Sequence, residues 1–204
     1  MKSLADLPSL DRSLAALVAV AADAYGATGD PSAVALAERL GASALRFALA
    51  PSEPQPALAS LAAALERLPP GPLAPLLRNC APRVPWTVGD FKMPASFAGR
   101  SAYVEIVGPE GLARREDLRF GLYVQTPESL YPPHNHAAEE LYYVLSGTAR
   151  WQKADGEFRA MAPGTLIRHA PWERHAMQTA REPLLAMWTW TGDLSVATYR
   201  VDGA

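Results

Sequence analysis

Residues 134–147 read His134-Asn135-His136-Ala137-Ala138-Glu139-Glu140-Leu141-Tyr142-Tyr143-Val144-Leu145-Ser146-Gly147. The second half of this segment is rich in residues that favour β-strands, and it ends on a Ser-Gly turn signal. Alternate side chains of an extended chain project to one face, so His134, His136, Glu140 and Tyr142 share a face. If residues 137–139 are not extended, a bulge or turn there still allows Glu140 to reach the imidazoles. The segment is therefore predicted to present two imidazoles, a carboxylate and a phenol together.

The chain from Trp86 onward has the same β-rich character. Short apolar runs alternate with turn signals such as Gly108-Pro109 and Asp155-Gly156. Many short strands at this spacing are typical of an all-β sandwich or a small barrel, and the interior of a small barrel can hold one small ligand. The runs outside the opening segment are Ala102–Val107 and Leu122–Gln125.

The first part of the chain has a different composition, rich in Ala and Leu with apolar residues at helical spacing. About three helices are predicted, separated by Gly29-Asp30-Pro31 and by the prolines from Pro51 to Pro56. Residues 69–85 are interpreted as a loop-rich connector because of their prolines. The predicted division is a helical segment with a proline-rich connector over residues 1–85 and a β domain over residues 86–204. The apolar positions that define the helices are Leu14, Leu17, Val18 and Ala21, then Val34, Leu36, Leu40 and Leu45, then Leu58, Leu61 and Leu65.

Composition and charge exclude several classes of protein. The 204 residues are 49% hydrophobic and 20% charged, which is globular, and they suffice for one domain with a helical extension. The formal charge of −2 gives no field for binding a polyanion, so nucleic acid is not expected as a partner. No heptad pattern or broad apolar stripe indicates a protein partner, and the oligomeric state is left open.

Export and membrane insertion are not expected either. The apolar run Leu14–Ala22 is far shorter than the roughly 20 residues that a membrane-spanning helix needs. Asp6 and Asp11 beside Lys2 and Arg12 do not make the net-positive start of a signal peptide, so the run is interpreted as a helix. Cys80 is the single cysteine, which rules out an intrachain disulfide and suits a reducing cytoplasm.

All four histidines of the chain fall between residues 134 and 175. Imidazole nitrogen with carboxylate oxygen is the ligand set of Fe²⁺, Zn²⁺, Mn²⁺, Ni²⁺ or Co²⁺ sites that leave positions open for chemistry. A further ligand is expected from a second pair of strands. His175, which follows a turn-like segment, is a better candidate than His169. The alternative is a surface turn with incidental histidines beside Pro132-Pro133.

The spacing of these residues resembles the first cupin motif: His134-x-His136, three residues, Glu140, six residues, Gly147. Pro163-Gly164 and His175 resemble the second motif, although its Pro-x-Gly and the Asn after its histidine are not reproduced. In cupins the matching residues bind one divalent metal inside a jelly-roll β-barrel. The resemblance therefore implies a mainly β, jelly-roll fold with metal ligands His134, His136, Glu140 and His175.

A narrower resemblance covers most of the chain and is strongest from about Phe120 to Trp190. The run Tyr131–Gly147 and His175-Ala176-Met177, with a helical segment before them, are similar to the cupin-type dimethylsulfoniopropionate (DMSP) lyases. The DddQ branch is the most similar, with DddL and DddK as relatives. The resemblance implies a carbon–sulfur lyase that forms acrylate and dimethyl sulfide with a metal and a tyrosine base. Tyr142 matches the catalytic tyrosine, and Tyr131 matches a second tyrosine of the active site.

The chemistry of such a reaction indicates what else the site needs. A cation that holds the substrate carboxylate stabilises developing enolate-like charge and lowers the pKa of a nearby phenol such as Tyr142. The substrate is a sulfonium carboxylate, and aromatic faces bind cations. Tyr123, Tyr131, Trp188 and Trp190 are candidates for this binding, with the alternative that both tryptophans are only barrel core. His169 is assigned to a substrate contact or to the orientation of a ligand, with a plain strand residue as the alternative.

Two other functions remain open at this point. One cupin fold with one set of ligands supports many reactions, so another cupin enzyme, an oxygenase or an isomerase of a small carboxylate, is the second hypothesis. A cupin that binds a sugar or another small ligand without turning it over is the third. Release of dimethyl sulfide without oxygen distinguishes the first from the second.

Overall fold

The computed structural model describes residues 9–42, 45–49 and 53–203. Helices precede strands along the chain, as the composition predicts. Lys2 and Asp6, used above against a signal peptide, and Pro51 lie outside the described residues. The helices are α1 Leu10–Gly26, α2 Pro31–Gly41, α3 Leu61–Glu66 and α4 Leu73–Cys80, with 3₁₀ turns at Pro56–Ser60, Ala81–Arg83 and Val196–Thr198. The strands are β1 Ser101–Gly108, β2 Ala113–Arg114, β3 Arg119–Gln125, β4 Leu130–Asn135, β5 Ala138–Ser146, β6 Ala149–Lys153, β7 Arg159–Met161, β8 Leu166–His169, β9 His175–Thr179, β10 Leu184–Gly192 and β11 Arg200–Val201.

The first two helices follow the pattern of the sequence. In α1 the predicted apolar positions are all buried, and they form one stripe. The α2 helix begins where the Gly-Asp-Pro break predicts, because the Asp30 carboxylate accepts hydrogen bonds from the backbone N–H groups of Ser32 and Ala33. Pro31 then occupies the first turn, where its missing N–H costs nothing.

The helical part differs from the prediction in two places. Helix α2 ends at Gly41, so Leu45 packs against the core from a coil and not from the helix. The connector contains helix α4, which buries Ala74, Leu77 and Cys80 on one face. Pro75 stands in the first turn of α4, where proline is compatible with a helix. Counting prolines therefore overestimated the loop content of residues 69–85.

The β-rich part forms two sheets, which enclose a core. The six-stranded sheet has the order β2-β1-β3-β10-β5-β8, and the five-stranded sheet has the order β11-β4-β9-β6-β7. One cluster of buried side chains joins Tyr123 and Tyr142 of the first sheet to Trp151 and Met177 of the second. This is the predicted jelly-roll barrel, with an N-terminal helical segment attached.

The helices cover the outer face of the six-stranded sheet. A second core combines Leu17 and Leu36 of the helices with Leu122 and Leu141 of the sheet. Every residue of β3 is buried, because both faces of this sheet are covered. The helical segment therefore packs on the outer face of the barrel. Since this core is continuous across residue 85, the division of the chain at residues 85 and 86 stays a prediction.

Strand β5 has one face in each core. Glu140, Tyr142 and Val144 point into the barrel, whereas Leu141 and Leu145 pack under the helices. Among the described helices, none combines the length and the apolar character that a membrane crossing requires.

Candidate metal centre and active site

Three buried side chains converge inside the barrel. His134 of β4, Glu140 of β5 and His175 of β9 each offer a ligand atom, and these atoms all lie within 4.8 Å of one another. The strands come from both sheets, with β4 and β9 in the five-stranded sheet and β5 in the other. Strand pairing sets His134 directly opposite His175, which explains how residues distant in sequence meet.

The histidine rings are all oriented in the same way. The Nδ1 atoms of His134, His136 and His175 lie 2.9, 3.1 and 2.8 Å from the backbone oxygens of Pro132, Ala138 and Glu173. A carbonyl can only accept, so each Nδ1 carries the proton, and each Nε2 keeps its lone pair. This is the tautomer in which histidine binds a metal through Nε2.

The carboxylate of Glu140 lies at the centre of the cluster. Its Oε2 atom is 3.2 Å from Nε2 of His136 and 3.0 Å from Nε2 of His175. The contact with His175 does not have the geometry of a hydrogen bond, and Nε2 of His175 has no hydrogen-bond partner in the described structure. Trp190 donates from Nε1 to the other oxygen, Oε1, at 2.9 Å.

Burial and mutual interactions set the charges of this cluster. Burial penalises the charged form of Glu140, but the positive charge that His136 and His175 carry when protonated outweighs that penalty and holds the pKa of the carboxyl well below its usual range. Burial also holds the pKa of His134 well below its usual value, which keeps the imidazole neutral. A neutral imidazole and an ionised carboxylate are the forms that bind metals.

These residues fit a divalent transition metal. The buried, partnerless Nε2 of His175 is a polar atom whose burial only a bound group would compensate. Of the four predicted ligands, His134, Glu140 and His175 form the compact group, and His136 adjoins it through Glu140. The donor set of nitrogen and oxygen agrees with the metals predicted from sequence and does not select one of them.

His169 lies against the cluster from the side of His175. The two rings stack at 3.8 Å between centroids with 9° between their planes. Both ring nitrogens of His169 are buried without a hydrogen bond to any described residue, and burial lowers its pKa to about 2. Nδ1 of His169 is 3.6 Å from the Glu173 carboxylate. Since His169 is not among the described residues that line the pocket, its position favours contact with a ligand residue over contact with substrate.

A pocket of about 600 Å³, open solvent included, leads to His134 and Glu140. The five aromatic residues predicted to contact substrate or to act as base all line it, namely Tyr123, Tyr131, Tyr142, Trp188 and Trp190. Further lining residues are Val88, Phe91, Met93, Ser101, Tyr103, Glu105, Arg119, Val196 and Tyr199. The wall is therefore mostly aromatic, with one pair of opposite charges.

Tyr142 and Tyr131 occupy different environments in this pocket. Burial, followed by the charge of Glu140, raises the pKa of Tyr142 well above its usual value. The lowering predicted from sequence therefore requires a cation whose charge exceeds both effects. Tyr131 stacks on His134 at 4.2 Å between ring centroids, and its hydroxyl is hydrogen-bonded to that of Tyr199.

Three of the pocket residues that sequence reasoning missed are Tyr199, Glu105 and Arg119. Tyr199 stacks on both His134 and His136, but it belongs to no motif and reaches the site through the pairing of β11 with β4. Glu105 and Arg119 form a buried ion pair with 2.5 Å between Oε2 and Nη1. The one signal for this pair was a charged residue in the apolar run Ala102–Val107.

Glu139 and Arg168 form an ion pair outside the barrel. Arg168 donates from Nε to Glu139 at 2.5 Å, and Glu139 also accepts from the Ser32 hydroxyl of α2 at 3.0 Å. Glu139 therefore links strand β8 to helix α2 outside the barrel. Arg168 is thereby engaged on the outer face of the barrel.

The sequence of this chain is similar to the sequences of known lyases. The sequence profile of the dimethylsulfoniopropionate lyases matches residues 31–186. A putative dimethylsulfoniopropionate lyase DddL of Cereibacter sphaeroides is 35% identical over 147 residues, which cover 70% of this chain and 62% of the relative. The dimethylsulfoniopropionate lyase DddQ of Ruegeria pomeroyi is 34% identical over 107 residues, which cover 52% of this chain and 53% of the relative. The matches thus span somewhat more than half the length of these relatives.

Solved structures agree with the fold. A chain from the crystal structures of the DMSP lyases RdDddP and RnDddQII superposes with a TM-score of 0.76 and 26% identity, covering 95% of this chain and 100% of that one. The crystal structure of DddQ from Ruegeria pomeroyi gives a TM-score of 0.70 at 24% identity, with 94% and 97% covered. Since the family profile matches residues 31–186, more than half of the chain, the chain belongs to the dimethylsulfoniopropionate lyase family.

Proposed function

We propose that this chain is a metal-dependent carbon–sulfur lyase that cleaves DMSP to acrylate and dimethyl sulfide. One observation carries the proposal beyond family membership. Tyr142 lies on the barrel-facing side of β5, two residues after Glu140, and both side chains line the same pocket. A candidate base and a candidate metal ligand therefore face the same bound molecule.

His134, His136, Glu140 and His175 would hold the metal ion. When bound, the ion would supply a Lewis acid that stabilises the negative charge developing on the substrate carboxylate. The three histidines are fixed by their Nδ1 contacts to backbone carbonyls, so little rearrangement of the rings is needed for binding. Fe²⁺, Zn²⁺, Mn²⁺, Ni²⁺ and Co²⁺ are all compatible with this donor set.

Tyr142 is proposed as the general base. Its phenolate oxygen removes the proton from the carbon next to the carboxylate, and the electrons of that C–H bond form the new C=C bond. The C–S bond breaks at the same time, and its electron pair leaves with sulfur as neutral dimethyl sulfide. The proton stays on the Tyr142 oxygen until it is lost to solvent. A neutral leaving group needs no acid, so one base suffices.

The aromatic wall suits the cationic end of the substrate. Tyr103 and Trp188 meet edge to face at 5.7 Å between ring centroids, and Tyr123 and Tyr131 stack at 5.9 Å. Faces of such rings attract a sulfonium group, and the attraction is larger where water is excluded. We assign Trp188, Tyr123 and Tyr131 to substrate binding on this basis. Trp188 also belongs to the barrel core, so the two alternatives considered from sequence are not exclusive.

The test is headspace gas chromatography of the purified, metal-loaded protein with DMSP, together with elemental analysis. Tyr142→Phe is expected to lower the release of dimethyl sulfide by about 10²–10⁴-fold while metal content stays the same. Tyr143→Phe is the matched control, because Tyr143 lies on the helix-facing side of the same strand and packs on Tyr25.

Three results would argue against the proposal. Full activity in Tyr142→Phe would exclude this tyrosine as the base. Oxygen-dependent turnover of another small carboxylate, without dimethyl sulfide, would support an oxygenase. Tight binding of a small ligand without any turnover would support a binding protein.

A further inference from the structure

We infer that Trp190 is a positioning residue that holds the Glu140 carboxylate in the orientation needed for metal binding. The inference rests on the metal centre of the proposed function, and it assigns Trp190 a role other than the cation–π contact predicted from sequence. It concerns the affinity of the centre for its ion and not the binding of substrate.

The indole nitrogen of Trp190 donates to Oε1 of Glu140 at 2.9 Å. The two residues are directly opposite each other in the pairing of β10 with β5, and both are buried. A hydrogen bond to a carboxylate in a buried site is stronger than one between neutral groups. The last torsion of a glutamate is otherwise broad, so this bond restricts which oxygen faces the histidines.

With Oε1 occupied by Trp190, Oε2 is the oxygen that faces the imidazoles. It lies 3.2 Å from Nε2 of His136 and 3.0 Å from Nε2 of His175. The indole ring of Trp190 also lies against the ring of His136, with 4.3 Å between centroids. One side chain therefore contacts two members of the cluster, the carboxylate through its N–H and an imidazole through its ring.

Trp188 provides an internal comparison. Trp188 lies on the same strand as Trp190, points to the same face of it and lines the same pocket. Its Nε1, however, donates to the backbone oxygen of Leu122 at 3.3 Å. Its indole meets Trp190 edge to face at 6.2 Å. Two tryptophans that the sequence pattern could not distinguish thus differ in what their N–H groups hold.

The experiment compares metal affinity in Trp190→Phe and Trp188→Phe. Phenylalanine keeps an aromatic ring and removes the N–H donor. The dissociation constant for Co²⁺ is measured by competition with a chelator, and the visible spectrum of bound Co²⁺ reports the ligand geometry. We expect Trp190→Phe to weaken Co²⁺ binding by about 10–100-fold and to change the spectrum. Trp188→Phe should change affinity by less than about 3-fold and leave the spectrum as in the wild type.

Combining Trp190→Phe with Glu140→Gln tests whether the effect passes through the carboxylate. If it does, Trp190→Phe weakens binding much less in the Glu140→Gln background than in the wild type. Near-ultraviolet circular dichroism establishes that each variant is folded. Trp190→Met, which also lacks a donor, takes the place of Trp190→Phe if the latter does not fold, and at least a 10-fold loss is again expected.

Failure of the inference and failure of the metal centre give different results. Unchanged Co²⁺ affinity in a folded Trp190 variant, with tight binding by the wild type, overturns the positioning role alone. Equal losses from the Trp190 change in both Glu140 backgrounds overturn it as well. A wild-type protein that binds no Co²⁺ overturns the metal centre and the inference together.

Discussion

The Oε2 atom of Glu140 lies 3.0 Å from Nε2 of His175, although β5 and β9 belong to different sheets. The contact therefore exists only when the two sheets have closed on each other. Residues that do not meet in the unfolded chain form one site in the native protein. This couples occupancy of the cluster to the stability of the barrel.

The first prediction concerns the effect of a bound metal ion on the melting temperature. Saturating Zn²⁺ should raise the melting temperature of the chelator-treated protein, because a ligand that binds only the native state adds about 2.7 kcal/mol at 100 times its Kd. His175→Ala should lose most of this rise, since it removes one of the three side chains that converge on the site. Differential scanning fluorimetry with and without Zn²⁺ measures both. An equal rise in His175→Ala would contradict the ligand set.

The second prediction concerns acid. The pKa of His169 is lowered to about 2 from 6.5, so the native state stays neutral where the unfolded chain takes up a proton. Stability contributed by the neutral ring is complete above pH 6.5 and is lost as pH falls below it.

His169→Phe, which keeps a ring against His175, removes this titration. Between pH 7.5 and pH 5.5 the metal-free variant should lose about 1.4 kcal/mol less unfolding free energy than the wild type. Urea unfolding at the two pH values measures the difference. The same loss in both proteins would show that His169 does not titrate in this way.

The third prediction concerns the buried ion pair of the pocket. Arg119→Met leaves the carboxylate of Glu105 buried without its cation, and it should cost about 3–5 kcal/mol of stability. Arg114→Met is the matched control, because Arg114 forms an exposed pair with Glu116 and should change stability by less than about 1 kcal/mol. Urea titrations of the three proteins give the values. Similar losses from both substitutions would refute the distinction.

The fourth prediction concerns Gly121 of β3. A Cβ atom there would lie 1.9 Å from the backbone oxygen of Val104 and 2.8 Å from Nε1 of Trp188. Gly121→Ala must therefore move rigid backbone or displace an indole of the pocket wall, and it should cost about 1–3 kcal/mol or more, with loss of activity.

Gly41→Ala is its control, because no heavy atom of the described residues, apart from the adjacent residues and the backbone of α2 itself, lies within 4 Å of the Cβ position. This change should shift stability by less than about 1 kcal/mol, in the stabilising direction. Melting temperatures and dimethyl sulfide release of both variants are compared. A well-folded, active Gly121→Ala would show that the neighbouring strand moves to accommodate the added methyl group, contrary to this prediction.

The local sequence pattern was sufficient to predict features that depend on a single helix or strand. The alternation in β5 predicted that Glu140 and Tyr142 share a face, and the Asp30 cap predicted the start of α2. The jelly-roll fold was implied by the resemblance to the cupins and is confirmed. Helix α4 was missed because the position of Pro75 within the first turn is invisible until the helix is known.

Contacts between elements that are distant in the chain could not be predicted from the local sequence pattern. Tyr199 reaches His134 and Tyr131 only through the pairing of β11 with β4. His175 was chosen over His169 from a turn signal, and the structure places both rings together, with His175 on the cluster. Which acceptor the indole N–H of each tryptophan reaches depends on side-chain placement in three dimensions, which period-two alternation does not encode. The roles assigned to these residues stay predictions until the variants are measured.

The two-sided burial of β5 has a consequence for how this chain can vary in length. Successive side chains of a strand point to opposite faces. Deleting the residue between Glu140 and Tyr142 would therefore turn the phenol of Tyr142 toward the helices and bring the side chain of Tyr143 into the barrel. Insertions and deletions in natural relatives are therefore expected in the turns that flank this strand and not within it. Homologous sequences aligned over residues 138–146 should show substitutions without gaps.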